Sequence, residues 1–348
     1  TIRNYYITAE EVIWDYAPSG RDNYHGAPIE QSTHASFYLS NGSGRIGRFN
    51  RKAIYRQYAD ANFTQRMEAP EWLGNLGPII RAEVGDVVKV HFWNRAPGHD
   101  FSVHAHGVAY DRDSEGAAHA KGGAGSSVPP GARYTYLWDV SERAGPGPDD
   151  PSSILWFYHS HVDETADLYA GLMGPIIIYR AGHMPRKPQM DGRSHPFGTT
   201  LKAGGPDFDR EFVVVFMAND ENQSPYVRQN IAEFAHNSTS TTSVDYNLED
   251  RSFREPNIKW TVNGRLYNNL PGLDTVVGER VRWYIAGFGE FYDVHSVHFH
   301  GATVLRAGQR TDVIQLVPAV FQQTDMVPDV TGTWLLHCHV NSHMMAGM

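Results

Sequence analysis

Trp334-Leu335-Leu336-His337-Cys338-His339-Val340 repeats an earlier stretch, Trp156-Phe157-Tyr158-His159-Ser160-His161-Val162. Other segments repeat in the same order. Val84-Gly85-Asp86-Val87-Val88-Lys89-Val90 returns as Val277-Gly278-Glu279-Arg280-Val281-Arg282-Trp283, His104-Ala105-His106-Gly107 as His298-Phe299-His300-Gly301, and Val128-Pro129 as Val317-Pro318. Matches in register of this kind identify two copies of one structural unit. Each copy reads as short alternating strands. Tyr5 to Trp14 and Phe49 to Tyr58 are two of them, and Leu76 to Trp93 forms two more around a Gly85-Asp86 turn. Only Asp163 to Leu172 and Tyr226 to Ala235 have room for a turn or two of helix. The expected class is all-β, with β-sandwich domains at residues 1–182 and 210–348. Residues 183–209, rich in Gly, Pro, Lys and Arg, read as the linker between them. Residues 20–50 read as loop, and Asn219 to Asn257 as a polar surface insertion.

Composition narrows the function. A chain of 348 residues accommodates two domains, and a net charge of −9 argues against a nucleic-acid partner. No apolar run approaches the roughly 18 residues of a membrane span. A single cysteine excludes an intramolecular disulfide and leaves no second thiol to compete for a soft metal. Eighteen histidines are many for this length, and eight of them form His-x-His pairs at equivalent places of the repeat: 104/106, 159/161, 298/300 and 337/339.

Alternation along a strand turns His337 and His339 away from Cys338. Cys338 itself is accompanied by His343 and Met348, and His295 stands three residues before His298. One thiolate, two imidazoles and a weak thioether form the donor set of a blue electron-transfer copper site. The first copy has Phe101 in place of His295 and Ser160 in place of Cys338, so it keeps its paired histidines without that site. Eight further imidazoles suit a copper cluster whose remaining positions are filled by oxygen species. His25, His34, His91, His99, His119, His183, His195 and His236 read as non-ligands, and Met344 and Met345 as packing around the copper. Asp111, Asp113 and Glu115 follow the first pair closely and read either as proton donors near it or as solvated acids.

On these motifs the chain resembles the multicopper oxidases over nearly its whole length. Tyr6 to Trp14, Leu76-Gly77-Pro78-Ile79-Ile80, Tyr158 to Val162 and Gly171 to Ile178 are similar to the first domain of ceruloplasmin and hephaestin, and to the coagulation-factor A domains. Asn263 to Leu266, Val297 to Gly301 and Leu335 to Val340 are similar to the last domain of ceruloplasmin. The layout resembles the bacterial two-domain laccases. The resemblance implies cupredoxin-like Greek-key sandwiches and about four coppers per chain. It implies type 1 ligands His295, Cys338, His343 and Met348, type 2 ligands His104 and His298, and type 3 ligands His106, His159, His161, His300, His337 and His339. Electrons would pass from Cys338 into His337 and His339, and dioxygen would be reduced to water. A homotrimer with clusters at its chain interfaces and an extracellular or periplasmic location are also implied.

Glu255 matches a glutamate of the ceruloplasmin iron-oxidation site, whereas Trp260 stands where that family has a histidine and Ser342 where it has an aspartate. A laccase-like enzyme with a phenolic or aromatic substrate is therefore expected. The alternative is a metal oxidase acting on Fe(II), Mn(II) or Cu(I), with Glu255 and Asp293 as cation contacts. A copper nitrite reductase is opposed by the four complete pairs. A non-catalytic scaffold is opposed by the retention of every ligand.

Overall fold

The computed structural model describes residues 1–42, 44–185, 207–235, 248–290 and 293–348. Strand Ile2–Asp15 lies parallel to Val87–Asn94 and antiparallel to Phe49–Tyr58, and Arg133–Asp139 completes that sheet. The facing sheet runs Ile80–Glu83, Met173–Tyr179, Ser153–His159, His104–Ala105. The second sandwich repeats the wiring. Arg210–Asp220 lies parallel to Val281–Phe288 and antiparallel to Ile258–Val262, with Phe321–Met326 beyond. Its facing sheet runs Val313–Leu316, His295–Phe299, Leu336–Cys338. The sequence repeat is therefore a repeat of topology.

The copies differ at one edge. Ser153–His159 is paired on both sides, by Met173–Tyr179 and by His104–Ala105. Its counterpart Leu336–Cys338 pairs only with His295–Phe299 among the described residues. Beside that edge lies a cavity of about 730 Å³ lined by Leu270, Trp283, Met326, Trp334 and Met348.

Period-2 alternation explains how the sandwiches join. Arg210–Asp220 is buried at every position. Phe212, Val214 and Phe216 face the core of the second sandwich, with Trp283, Val297, Cys338 and Met348. Val213, Val215 and Met217 face the other way and meet Phe157, Ile177 and Tyr179 of the first sandwich. A strand buried on both faces reads as a continuous apolar run, as this one does. Buried ion pairs cross the seam, because an unpaired buried charge is costly. Lys52 pairs with Glu221 and Arg81 with Glu211 across it, while Arg282, paired with Asp207 and Asp325, donates to Ser152 and Ser153 of the first sandwich; Lys52, Glu221 and Arg282 are 0% exposed.

Residues 20–50 are more ordered than a loop. They hold the hairpin Arg21–Asp22/Ala27–Pro28 and helix Thr33–Leu39. Buried Asp22 accepts from Ser32 Oγ at 2.6 Å, and Ser32 Oγ in turn caps the helix by accepting from the Ala35 N–H at 3.2 Å. Ile29, Ala35 and Leu39 pack on Trp14, Leu266 and Tyr267, so the segment bridges both sandwiches. The expected insertion at 219–257 likewise carries helices Val227–Phe234 and Arg251–Arg254; residues 236–247 lie outside the described ones. The helix expected after Asp163 spans Glu164–Ala170, capped by Asp163 and closed by left-handed Gly171. Most of the expected linker 183–209 lies outside the described residues. No described helix is long and apolar enough to cross a membrane.

Candidate metal centres

Cys338 ends strand Leu336–Cys338 and is 0% exposed. Its Sγ lies 3.7 Å from His295 Nδ1 and 3.6 Å from His343 Nδ1. Val297 pairs directly with Cys338, which brings the neighbouring strand and His295 alongside. Helix Asn341–Met345 turns His343 back onto the sulfur. Met348 is 5% exposed, and its carbonyl accepts from the Cys338 N–H at 3.3 Å. Met345 departs from expectation: at 41% exposed it faces solvent instead of packing on the centre.

Asp293 fixes the ring of His295. Its Oδ1 takes His295 Nε2 at 3.1 Å, and its carboxylate also accepts the N–H groups of Ala218 and Glu290. A histidine held this way presents Nδ1 toward the sulfur in one tautomer. Burial alone would lower the His295 pKa, but Asp293 and Cys338 outweigh it and the net shift is upward. Burial, aided by His295, lowers His343 to about 4. Asp293 is 0% exposed, so it acts on the ring and does not meet solvent. Glu255, by contrast, is partly exposed and ion-paired to Arg251 at 3.0 Å.

The paired histidines form two groups, His104–His106–His159 and His298–His300–His337, each with ligand atoms within 4.8 Å of one another. His106 Nε2 and His159 Nε2 are 3.0 Å apart, and His300 Nε2 and His337 Nε2 are 2.9 Å apart. His159 and His337 each donate Nδ1–H to the next residue's carbonyl, at 2.9 Å in both cases, which leaves the Nε2 lone pair aimed at its neighbour. His104 donates Nδ1–H to the Glu115 carbonyl at 2.6 Å. Burial lowers His159 to about 3 and His106 to about 4, so these rings stay neutral, the form that binds metal. His161 stands 5.2 Å from His104 and His339 5.2 Å from His298, centroid to centroid. Convergent imidazoles in two groups and a buried cysteine sulfur with two imidazoles in the third fit copper.

Neither histidine group includes a ring from the other sandwich. Within the chain the first group meets aromatic rings of the second sandwich instead, with Phe321 5.4 Å from His106 and Phe288 6.3 Å from His159.

One device sets both groups. Gly107 has φ +80°, and a Cβ there would fall 2.2 Å from Trp156. Gly301 has φ +63°, and a Cβ would fall 2.7 Å from Trp334. The glycine after each first pair thus lets the tryptophan ahead of the second pair lie flat on the turn.

The first sandwich closes the place that Cys338 occupies in the second. Ser160 Oγ donates to Asp167 Oδ2 at 2.6 Å and accepts from the Ser102 N–H at 3.0 Å. Asp167 also accepts the N–H groups of Val162 and Asp163, and burial raises its pKa to about 6. Phe101 fills the position of His295 and is 0% exposed.

Some residues were missed from sequence. Glu164 Oε2 lies 3.3 Å from His161 Nε2 and its Oε1 3.9 Å from His159 Nε2. Asp312 Oδ2 lies 3.6 Å from His298 Nε2. The signal for Glu164 was an acid in the first helical turn, three residues after His161. The acids expected to serve the first group are engaged elsewhere. Asp111 caps a short turn through the Ser114 N–H, Asp113 accepts from Ala124, and the Glu115 side chain pairs with His119. Trp260 stacks on His343, with centroids 3.9 Å apart and planes at 29°. His25, His34, His91, His99, His119 and His183 lie outside the three donor groups, while His195 and His236 lie outside the described residues.

Residues 57–183 and 235–348 each match a family described as multicopper oxidase. Ferroxidase HEPHL1 of Mus musculus is 40% identical over 351 residues, covering 99% of this chain and 29% of the relative. Hephaestin of Homo sapiens is 39% identical over 351 residues, covering 99% and 29%. Ceruloplasmin of Homo sapiens is 36% identical over 352 residues, covering 99% and 30%. The chain thus spans under a third of the length of these relatives. A solved multicopper oxidase superposes with a TM-score of 0.58 at 19% identity, covering 99% of this chain and 86% of that one. Copper nitrite reductase from Nitrosomonas europaea superposes with a TM-score of 0.57 at 16% identity, covering 100% and 92%. At such identities the likeness shows the cupredoxin-like fold alone.

Proposed function

Because the chain belongs to the multicopper oxidase family, we propose that it is a metal oxidase of the ferroxidase type that uses dioxygen as electron acceptor. His295, Cys338, His343 and Met348 hold the type 1 position. His104 and His298 hold the type 2 position, and His106, His159, His161, His300, His337 and His339 the type 3 pair. Copper in these donor sets supplies one-electron redox chemistry at Cys338 and dioxygen reduction at the imidazole cluster. The observation that carries the reading is the adjacency of Cys338 and His337. One belongs to the thiolate donor set and the other to an imidazole set, and they are joined by a single peptide bond. Strand alternation sends their side chains to opposite faces, so the backbone itself is the short path between the sets.

The relatives support a metal ion as the donor. A ferroxidase relative at 40% identity supports a metal ion over the phenolic substrate that Trp260 and Ser342 suggest. A net charge of −9 favours approach of cations, and partly exposed Glu255 offers a carboxylate near the start of strand Ile258–Val262. Glu255→Ala is expected to lower Fe(II) turnover by about tenfold and to leave phenol turnover within about twofold. Equal losses would contradict a metal donor.

The two imidazole groups lie in different sandwiches, and neither holds a ring of the other. This supports completion of each cluster by a second copy of the chain. Head-to-tail contacts of that kind close into rings, and the reading adopted is a homotrimer. The family resemblance supports a location outside the cytosol.

A further inference from the structure

We propose that Trp260 is the electron-entry residue of this oxidase. A divalent metal donor docks on the solvent-facing part of its indole, and the donor's electron crosses the ring to His343. The proposal rests on the metal-oxidase reading above.

The centre at Cys338 offers almost nothing to solvent. Cys338 and His295 are 0% exposed, Met348 5% and His343 6%. An electron arriving from outside must therefore cross intervening atoms. The indole of Trp260 lies nearly parallel to the His343 ring with centroids 3.9 Å apart, and it remains partly exposed. Phe216, whose ring lies 6.1 Å from His295, is 0% exposed. Trp260 thus joins van der Waals contact with the donor set to contact with water.

The indole is held by a rigid frame. Trp260 sits inside strand Ile258–Val262, paired with Ala218. Its neighbour Lys259 is 0% exposed and donates to the carbonyls of Pro256 and Tyr38. The lysine so ties the Glu255–Asn257 turn and helix Thr33–Leu39 to the strand, across both sandwiches. Glu255 opens that turn and brings a negative charge to the approach. The face of an indole attracts cations through its quadrupole, most strongly among the aromatic side chains. A cationic donor is drawn to the ring that leads to His343.

The step balances without a covalent bond. Fe(II) loses one electron and becomes Fe(III). That electron would be taken up by the one-electron copper couple that Cys338, His295 and His343 would hold, and no proton moves. Trp260 touches the donor and hands its electron on through His343.

The test compares copper-loaded wild type, Trp260→Phe and Trp260→Leu without dioxygen, following Fe(II) bleaching of the blue band in stopped flow. Trp260→Leu is expected to bleach at least about tenfold more slowly, and Trp260→Phe within about threefold of wild type, with band position and potential unchanged in both. A second readout needs no turnover. Addition of Cu(II) to the copper-free protein quenches tryptophan emission, and Trp260→Phe is expected to lose a distinct share of that quenching. Wild-type bleaching in Trp260→Leu overturns the proposal and leaves the metal-oxidase reading standing. A slowed rate accompanied by a shifted band and potential in Trp260→Leu also overturns it, because that is the signature of a disturbed His343. A blue wild type bleached by phenols and not by Fe(II) overturns the metal-oxidase reading, and this proposal with it.

Discussion

Ser160 and Cys338 occupy equivalent places and differ by one atom, oxygen for sulfur, and that atom decides what gathers around each. The sulfur is met by two imidazole nitrogens, the oxygen by a carboxylate and a backbone N–H. Burial of Asp167 has a measurable consequence. Its pKa rises from 3.8 to about 6, so the folded state binds an extra proton between those values. Stability from this group is full below the lower value and is lost as pH rises through the upper one. Subtracting the unfolding free energy of Asp167→Asn from that of wild type, point by point in pH, is expected to give a difference falling by on the order of 2 kcal/mol across that window. A flat difference would contradict the assignment. Glu164 lies 3.3 Å from His161 and is placed to hold a proton beside the first imidazole group. Glu164→Gln keeps the shape and removes the charge. It is expected to slow dioxygen turnover by at least about tenfold while substrate still bleaches the blue band normally; unchanged turnover would exclude the role. The copper-ligand candidates were legible because motif and repeat coincide. The contacts of Trp260 and Asp312 with their histidines were not, because each depends on tertiary packing that no local spacing records; Asp293, two residues before His295, was singled out, but as a cation contact and not as the partner of that ring.

At the scale of elements, the repeat has a physical cause. The His-x-His-Gly turn and the tryptophan three residues before the next pair are one packed unit, present twice. Gly107→Ala would place a Cβ 2.2 Å from Trp156 at a φ of +80°. It is expected to destabilise the first sandwich by about 1–3 kcal/mol and to weaken metal uptake by its histidine group. Unchanged stability would show that the turn can relax away from the ring. The strands were legible from alternation, and helix Glu164–Ala170 from its Asp163 cap and Gly171 stop. The order within residues 20–50 was hidden, because it depends on buried Asp22 and on apolar contacts with Leu266 and Tyr267, far along the chain. Propensity alone sees only glycine and polar residues there.

At the scale of the molecule, the seam between the sandwiches fixes what one chain can do. Val213, Val215 and Met217 seat the second sandwich on Phe157 and Ile177, and Phe288 and Phe321 lie against His159 and His106. That arrangement gives each chain a thiolate centre of its own and two imidazole groups on separate sandwiches. The doubled architecture was legible from the repeat. The way the two copies face each other was not, since it depends on the outer faces of strands whose inner faces carry the same pattern. Full copper loading should therefore depend on assembly. The deciding measurement is mass together with copper per chain, followed by light scattering and metal analysis on one chromatographic run over a range of dilutions. The expected result is a trimer carrying about four coppers per chain, falling toward about one per chain as it dissociates while the band near about 600 nm persists. A monomer that keeps about four coppers at every dilution would contradict clusters shared between chains.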